Sequence, residues 1–427
     1  MKNKQFPILF LTFCVAFIFG SQAAKAASLT VIADGLDNPR GLSFGPDGSL
    51  YITEAGTGGN GACIPSPSVQ LAPLCMGNSG AITRIKDGKQ ERILTGFYSL
   101  GYQPTGSEAS GIQDIKFDSE GNAYLIYGFA GDPGRRNSLL NAPEMGQFHK
   151  IDLNTGLLTS IADLANFELN YNPDRGDLIS NPYSVTIKGN LAYIAEAGAN
   201  IVFTVGLDGT NLTPIPFPRQ TVENADFPPS IPLSEQPDEL VLQSVPTAIA
   251  IGPDGAVYVS ELTGYPYQEG VARIFRLGDD NKPVVYADGF TQLIDLDFDT
   301  AGNLYALQYN NESPWKGSTE GSLIQLAPDG TRTTLWSGNG IESAGAFTIG
   351  PDGAFYITTG ADLPATGKVV RLDTKSVPES SSTAALLAAS AIGTVLILKR
   401  KPKQLSQTLS LTHDNQVKDA DIAYFQA

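Results

Sequence analysis

Residues 42–54 read LSFGPDGSLYITE: an alternating apolar strand, a tight Gly-Pro-Asp-Gly turn, and a second strand carrying a tyrosine. The phrase returns at 115–127 (IKFDSEGNAYLIY), 185–196 (VTIKGNLAYIAE), 249–261 (IAIGPDGAVYVSE), 296–308 (LDFDTAGNLYALQ) and 347–359 (FTIGPDGAFYITT). Tyr51, Tyr124, Tyr193, Tyr258, Tyr305 and Tyr356 hold one equivalent position. A unit repeated six times sets the architecture before any local reading does.

Between the copies lies a looser pair of strands, such as 81–85 with 91–95 and 272–277 with 283–287, joined by turns such as Lys86-Asp-Gly-Lys89. The unit is therefore four hairpin-connected antiparallel strands. Six such units predict an all-β, six-bladed β-propeller. The last unit supplies three strands, ending at 368–373, and stops. The segment 29–35 (LTVIADG) matches the fourth strand of other units, such as 284–289 (VVYADG). We therefore expect the N-terminal strand to complete the last blade and leave no free edge.

Outside the repeats, Lys2 and Lys4, the apolar stretch 6–19 and Ala24-Lys25-Ala26 read as a secretory leader spanning 1–26, with an uncleaved anchor as the competing reading. Cys63 and Cys75 share a Gly/Pro-rich insertion. In an exported chain that pair predicts a disulfide, two free thiols being the alternative. The propeller is expected over 27–375 and a Val-Pro-Glu linker over 376–382. A short transmembrane helix or sorting segment with a basic end (Lys399, Arg400, Lys401, Lys403) is expected over 383–403, then a polar tail over 404–427. The apolar run TAALLAASAIGTVLIL is shorter than the ~20 residues of a comfortable bilayer crossing. Its basic end favours a propeller outside the membrane. The formal charge is −16, and loss of Lys2, Lys4 and Lys25 takes it to −19. So acidic a surface excludes nucleic acid as a partner.

The turns sort by length. Those within hairpins, such as 45–48 and 252–255, are short. The connections 56–80, 97–110, 128–146, 166–180, 214–244 and 309–321 are long and emerge on the opposite face. Long loops on a rigid scaffold carry function, so this face is the predicted ligand-binding face, although tolerated insertions would look the same. Strand starts and loops there supply Arg40, Gln113, Asn181, Tyr183, Thr247, Tyr309 and Trp315. Asp114 and Asp295 lie one residue further in, and Glu54, Glu196 and Glu261 end second strands. These five carboxylates suit a hard cation such as calcium or a general base; the repeated glutamates equally suit strand capping. Loop aromatics suit a glycan or a planar small molecule, or they pack the loops down. The two histidines, His149 and His413, supply no nucleophilic triad. The residues leave open whether the chain is an enzyme.

The run Asn38-Pro39-Arg40-Gly41, with Gly45-Pro46-Asp47-Gly48, Tyr51-Ile-Thr-Glu54 and the insertion from Cys63 to Cys75 leading into Gly80-Ala81-Ile82-Thr83-Arg84, resembles the start of ScyD/ScyE-family propellers. The likeness spans most of 29–372. It implies an exported, NHL-repeat-like propeller associated with clusters for scytonemin, a cyanobacterial extracellular sunscreen. The stretch 377–403 resembles a PEP-CTERM sorting signal, which implies processing by an exosortase. It departs in having Ser380 after Glu379 and in continuing to residue 427. More distantly the repeats resemble gluconolactonase-like and quinone-dependent sugar dehydrogenase propellers. The latter use a histidine base that no inner strand here supplies.

The primary expectation is an exported envelope or matrix propeller binding a polysaccharide, a pigment precursor or an envelope protein. The alternative is a metal-assisted hydrolase or lactonase, and a structural spacer without ligand is the third reading.

Overall fold

The computed structural model describes residues 27–68 and 72–374. Within them six antiparallel sheets repeat in chain order. Blade 1 runs from its inner strand Pro39–Phe44 through Leu50–Glu54 and Pro73–Lys86 to Lys89–Tyr102. The inner strands of blades 2 to 6 are Ile112–Phe117, Pro182–Lys188, Pro246–Ile251, Leu293–Phe298 and Phe347–Ile349. Ser28–Leu36 pairs antiparallel with Gly367–Asp373, Ser28 opposite Asp373 and Leu29 opposite Leu372. The N-terminal strand is thus the outer strand of blade 6.

The core is divided into six seams, each formed where two neighbouring blades meet. Leu125, Ile115 and Tyr127 of blade 2 pack with Ile82 and Leu100 of blade 1. Ile194 and Phe203 of blade 3 meet Phe148 and Ile126 of blade 2. The remaining seams join blades 3 and 4 through Val202 and Phe275, 4 and 5 through Ile274 and Leu304, and 5 and 6 through Leu307 and Ile357. The last seam packs Leu36 and Val369 of blade 6 against Leu42 and Ile52 of blade 1. Burying ~25 cal/mol per Å2 of apolar surface at every junction favours the closed ring over an open array, whose end blades would expose a face.

The repeated phrase has a structural meaning. The tyrosine hydroxyl donates to the turn aspartate: Tyr124 to Asp118 (3.1 Å), Tyr258 to Asp254 (3.3 Å), Tyr305 to Asp299 (2.9 Å) and Tyr356 to Asp352 (3.0 Å). The ring lies on the first turn residue. A Cβ at Gly252 or Gly350 would sit 2.5 Å from it, so glycine is required there by space rather than by φ.

The connections are more structured than their composition predicts. Strands Pro73–Lys86 and Lys89–Tyr102 run on past the blade. They pair with Cys63–Pro65 and Ser107–Ser110, so much of the predicted loops 56–80 and 97–110 is an antiparallel extension. Cys63 is disulfide-bonded to Cys75 in that extension. A helix, Leu164–Tyr171, joins blades 2 and 3. Asp163 caps it by accepting from the Asn166 amide at 2.9 Å. Gln220–Glu223 and Glu239–Leu242 form a separate hairpin between blades 3 and 4. Among the described residues no helix is long and apolar enough to cross a membrane. The predicted leader, linker, apolar span and tail lie outside the described residues.

Candidate functional site

Inner strands alternate, so every second side chain faces the axis. Asp114 and Asp295 occupy equivalent positions in blades 2 and 5, opposite each other in a ring of six. Both stitch their inner strand to the next one. Asp114 Oδ1 accepts from its neighbour Ile115 N (2.9 Å) and Oδ2 from Val185 N of blade 3 (3.1 Å). Asp295 Oδ1 accepts from Leu296 N (2.8 Å) and Oδ2 from Phe347 N of blade 6 (2.7 Å). Gly41, the blade 1 counterpart, lies against the Asp114 carboxylate, where a Cβ would clash.

Lys116, two residues after Asp114 and on the same strand face, places Nζ 3.2 Å from Asp114 Oδ1 and keeps 32 % of its side chain exposed in the channel. Burial alone would lower its ammonium; the charges of Asp114 and Asp295 outweigh burial and raise it. Burial pushes Asp295 up to about 7, against the opposing pull of Lys116. It also raises Asp114 and Asp297.

Glu54, Glu196 and Glu261 do not join this group. All three are fully buried in their own blades. Glu54 accepts from Asp37 N (2.8 Å), Thr83 Oγ1 (2.5 Å) and the Arg92 guanidinium (2.6 Å). Glu196 accepts from Asn181 N (2.7 Å), Ser180 Oγ (2.6 Å) and Ala199 N (2.6 Å). Glu261 accepts from Ser244 Oγ (2.8 Å) and Arg273 (2.5 Å). In blade 5 Gln308 Oε1 plays the same part, accepting from Thr291 N (2.9 Å). An uncharged residue in the role identifies it as capping of the loop entering blades 1, 3, 4 and 5. The five carboxylates considered for calcium therefore form no common shell. Among the described residues no three carboxylate, imidazole or thiolate side chains gather to hold an ion. A metal-assisted lactonase centre does not fit these residues: the axial carboxylates are bound to amides, and an ammonium stands beside them.

The long-loop end of the axis, its mouth, is lined by half-buried polar and aromatic side chains. Arg40 of blade 1 donates through Nη2 to Ala109 O (2.6 Å), and its Nε has no protein partner. Its charge is felt by Tyr183 of blade 3, by Glu108 in the blade 1 extension, and by Tyr309 after the second strand of blade 5. Tyr309 also feels Asp362 of blade 6 and Glu108; Tyr267 of blade 4 feels Glu108. Burial raises the Glu108 carboxyl, Asp362 adds to the rise, and Arg40 opposes it. Glu108 also sits at φ 52°, a left-handed conformation that a glutamate rarely adopts.

Of the ligand-face residues expected from sequence, Arg40, Tyr183 and Tyr309 share this mouth. Thr247 does not: its hydroxyl donates to Leu293 O (2.7 Å) in the seam between blades 4 and 5. Asn181 is spent on loop packing, its Oδ1 accepting from Phe129 N (3.3 Å). Gln113 is 3 % exposed, with Oε1 unpartnered. Trp315 lies in the short helical turn Pro314–Lys316, half-buried. Several loop aromatics pack downward, Phe97, Tyr98 and Tyr102 onto the seam of blades 1 and 2. His149 is buried, its Nε2 2.9 Å from Glu144 O, and burial lowers its pKa. Lys116, Glu108 and Asp362 were not anticipated. Strand alternation after Asp114 marks Lys116; nothing in the sequence marks the other two.

The chain matches no protein-family model and no curated protein sequence. Solved structures similar to it include a gluconolactonase from Xanthomonas campestris (11 % identity, 83 % of this chain and 93 % of that one, TM-score 0.47). Others are regucalcin from Agrobacterium tumefaciens, described as a calcium-binding protein (12 %, 82 % and 94 %, 0.44), and virginiamycin B lyase from Staphylococcus aureus (12 %, 81 % and 99 %, 0.41). At such identities and TM-scores none of their activities transfers to this chain.

Proposed function

We propose that the chain is an exported propeller of the cell envelope or extracellular matrix that binds its ligand at the axial mouth of the long-loop face. The observation that carries this reading is the convergence of Arg40, Tyr183, Tyr309, Tyr267, Glu108 and Asp362 from five blades. Aromatic faces beside charged hydrogen-bonding groups suit a polysaccharide or a planar pigment precursor. An envelope protein is the remaining ligand class. The resemblance to ScyD/ScyE proteins supports a link to scytonemin-type sunscreen, and the 377–403 segment supports membrane anchoring or exosortase processing. The test is equilibrium binding of soluble matrix polysaccharides and planar aromatic compounds to the chain and to Arg40→Ala and Tyr309→Ala. Weakening by both variants without a change in melting supports the reading; unchanged binding removes it.

A second reading, a lactone hydrolase, rests on the axial carboxylates Asp114 and Asp295 with Lys116 Nζ 3.2 Å from Asp114, burial holding Asp295 near neutrality. Turnover of sugar lactones that Asp295→Asn abolishes supports it, and absence of turnover rejects it.

A further inference from the structure

Glu168 is the most anomalous acid in the chain. It sits in the last turn of the helix Leu164–Tyr171, has no exposed surface, and neither carboxylate oxygen has a protein partner. A charged group so placed is costly unless something pairs it. The nearest charges make the anomaly worse, since Glu168 feels Glu196 and Asp174, both acidic. One helical turn on, Asn172 caps the helix at φ 37°; its Nδ2 donates to Gly176 O (3.0 Å), and its buried Oδ1 is also without a partner. The Asp174 side chain is 4 % exposed, its Oδ2 accepting from Asn200 Nδ2 (2.9 Å) with the half-exposed Arg219 at 3.5 Å. Arg219 is the one cation paired with this group among the described residues. The helix C-terminus adds partial negative charge at the same place.

One buried and one half-buried residue thus offer three unpartnered oxygens where three carboxylates face one half-exposed arginine. Oxygen donors, amide carbonyl included, on a chain turn next to a carboxylate-rich wall are what a calcium ion takes. We propose that Glu168 and Asn172, backed by the charges of Glu196 and Asp174, form an oxygen-only calcium site between the interblade helix and blade 3. The site lies off the axis and is independent of the ligand-binding mouth. With one carboxylate and one amide oxygen as its side-chain ligands, the site is consistent with the lack of a three-carboxylate cluster among the described residues. Gly198 allows a close approach there: a Cβ on it would lie 2.8 Å from Asn181 N. This brings the loop against the turn that follows Glu196.

The test is calorimetric titration of the metal-stripped full chain with calcium chloride, with melting followed in parallel. The variants are Glu168→Gln, which keeps shape and removes charge, and Asn172→Gly, which keeps the left-handed cap and removes Oδ1. Asp295→Asn serves as the axial control. The expected result is one ion per chain, a higher melting temperature with calcium by mass action, and affinity at least about tenfold weaker in both variants. Asp295→Asn should bind as the parent does. Should Glu168→Gln fail to fold, Asn172→Gly decides alone. No calcium uptake, uptake unchanged in a folded variant, or uptake lost only in Asp295→Asn would each overturn the proposal.

Discussion

Replacing Arg273 by methionine tests whether the second-strand glutamates are internal caps. Glu261 has no exposed side-chain surface and Arg273 only 13 %. The guanidinium donates twice to Glu261 (2.5 and 3.0 Å) and once to Pro218 O (3.0 Å), and it lies 4.8 Å from the Phe275 ring centroid. Arg273→Met preserves most of the apolar stem but strips Glu261 of its guanidinium, leaving it Ser244 Oγ and the backbone amide of residue 273 as donors. Removing one partner of a buried pair costs about 3–5 kcal/mol. With an unfolding entropy of ~2.1 cal/mol/K per residue over about 350 residues, that lowers the Tm by about 4–7 °C. Burial already holds the Glu261 carboxyl above its usual range while Arg273 pulls it down. In the variant it rises further, so the cost should shrink on going from pH 8 to pH 5. The double variant Glu261→Gln, Arg273→Met removes the stranded charge and should recover more than half of the loss, a coupling read from a double-mutant cycle. Scanning calorimetry at both pH values measures all of this. A single variant that melts with the parent, or a double variant as unstable as the single one, would refute the capping role.

Three further outcomes follow from the same geometry. The folded pKa of Asp295, about 7, lies above its unfolded value of 3.8. Its stabilising contribution is therefore full below about pH 4 and lost as pH rises through about 7, with Asp114, Asp297, Lys116 and Tyr183 the ionisable groups around it. Asp295→Asn should flatten the decline in Tm between pH 5 and 8; Asp47, lowered to about 2, titrates outside that window. Deleting residues 28–36 unpairs blade 6 and opens its seam with blade 1, so calorimetric unfolding should lose its single cooperative transition. Gly252→Ala drives a methyl onto the Tyr258 ring and should cost about 1–3 kcal/mol in urea denaturation, whereas Gly255→Ala pays instead for its φ of 73°.

The ring, its blade number and its closing strand were legible because the phrase around each tyrosine is itself structural. Asp254, Tyr258 and Gly252 recur together since the hydroxyl, the carboxylate and the absent Cβ form one clamp. The same repetition misled the reading of function. Glu54, Glu196 and Glu261 recur because the entries to blades 1, 3 and 4 use an acceptor at that point, and Gln308 in the equivalent position of blade 5 reveals that charge is dispensable. The mouth was half legible. Arg40 and Tyr183 follow from strand alternation, whereas Glu108 and Asp362 arrive through strands and loops whose course depends on pairing with distant segments. Glu168 was hidden for the same reason: a lone carboxylate in an eight-residue helix reads as solvated until packing against blade 3 buries it.

The most direct test of the central claim is a pair of binding isotherms for one matrix polysaccharide or planar aromatic ligand. One is measured with Arg40→Ala at the long-loop mouth and the other with Asp208→Ala at the opposite, short-turn face. The account predicts at least about tenfold weaker binding for Arg40→Ala, a loss of about 1.4 kcal/mol, and none for Asp208→Ala. Loss of binding in Asp208→Ala with Arg40→Ala unaffected would contradict it.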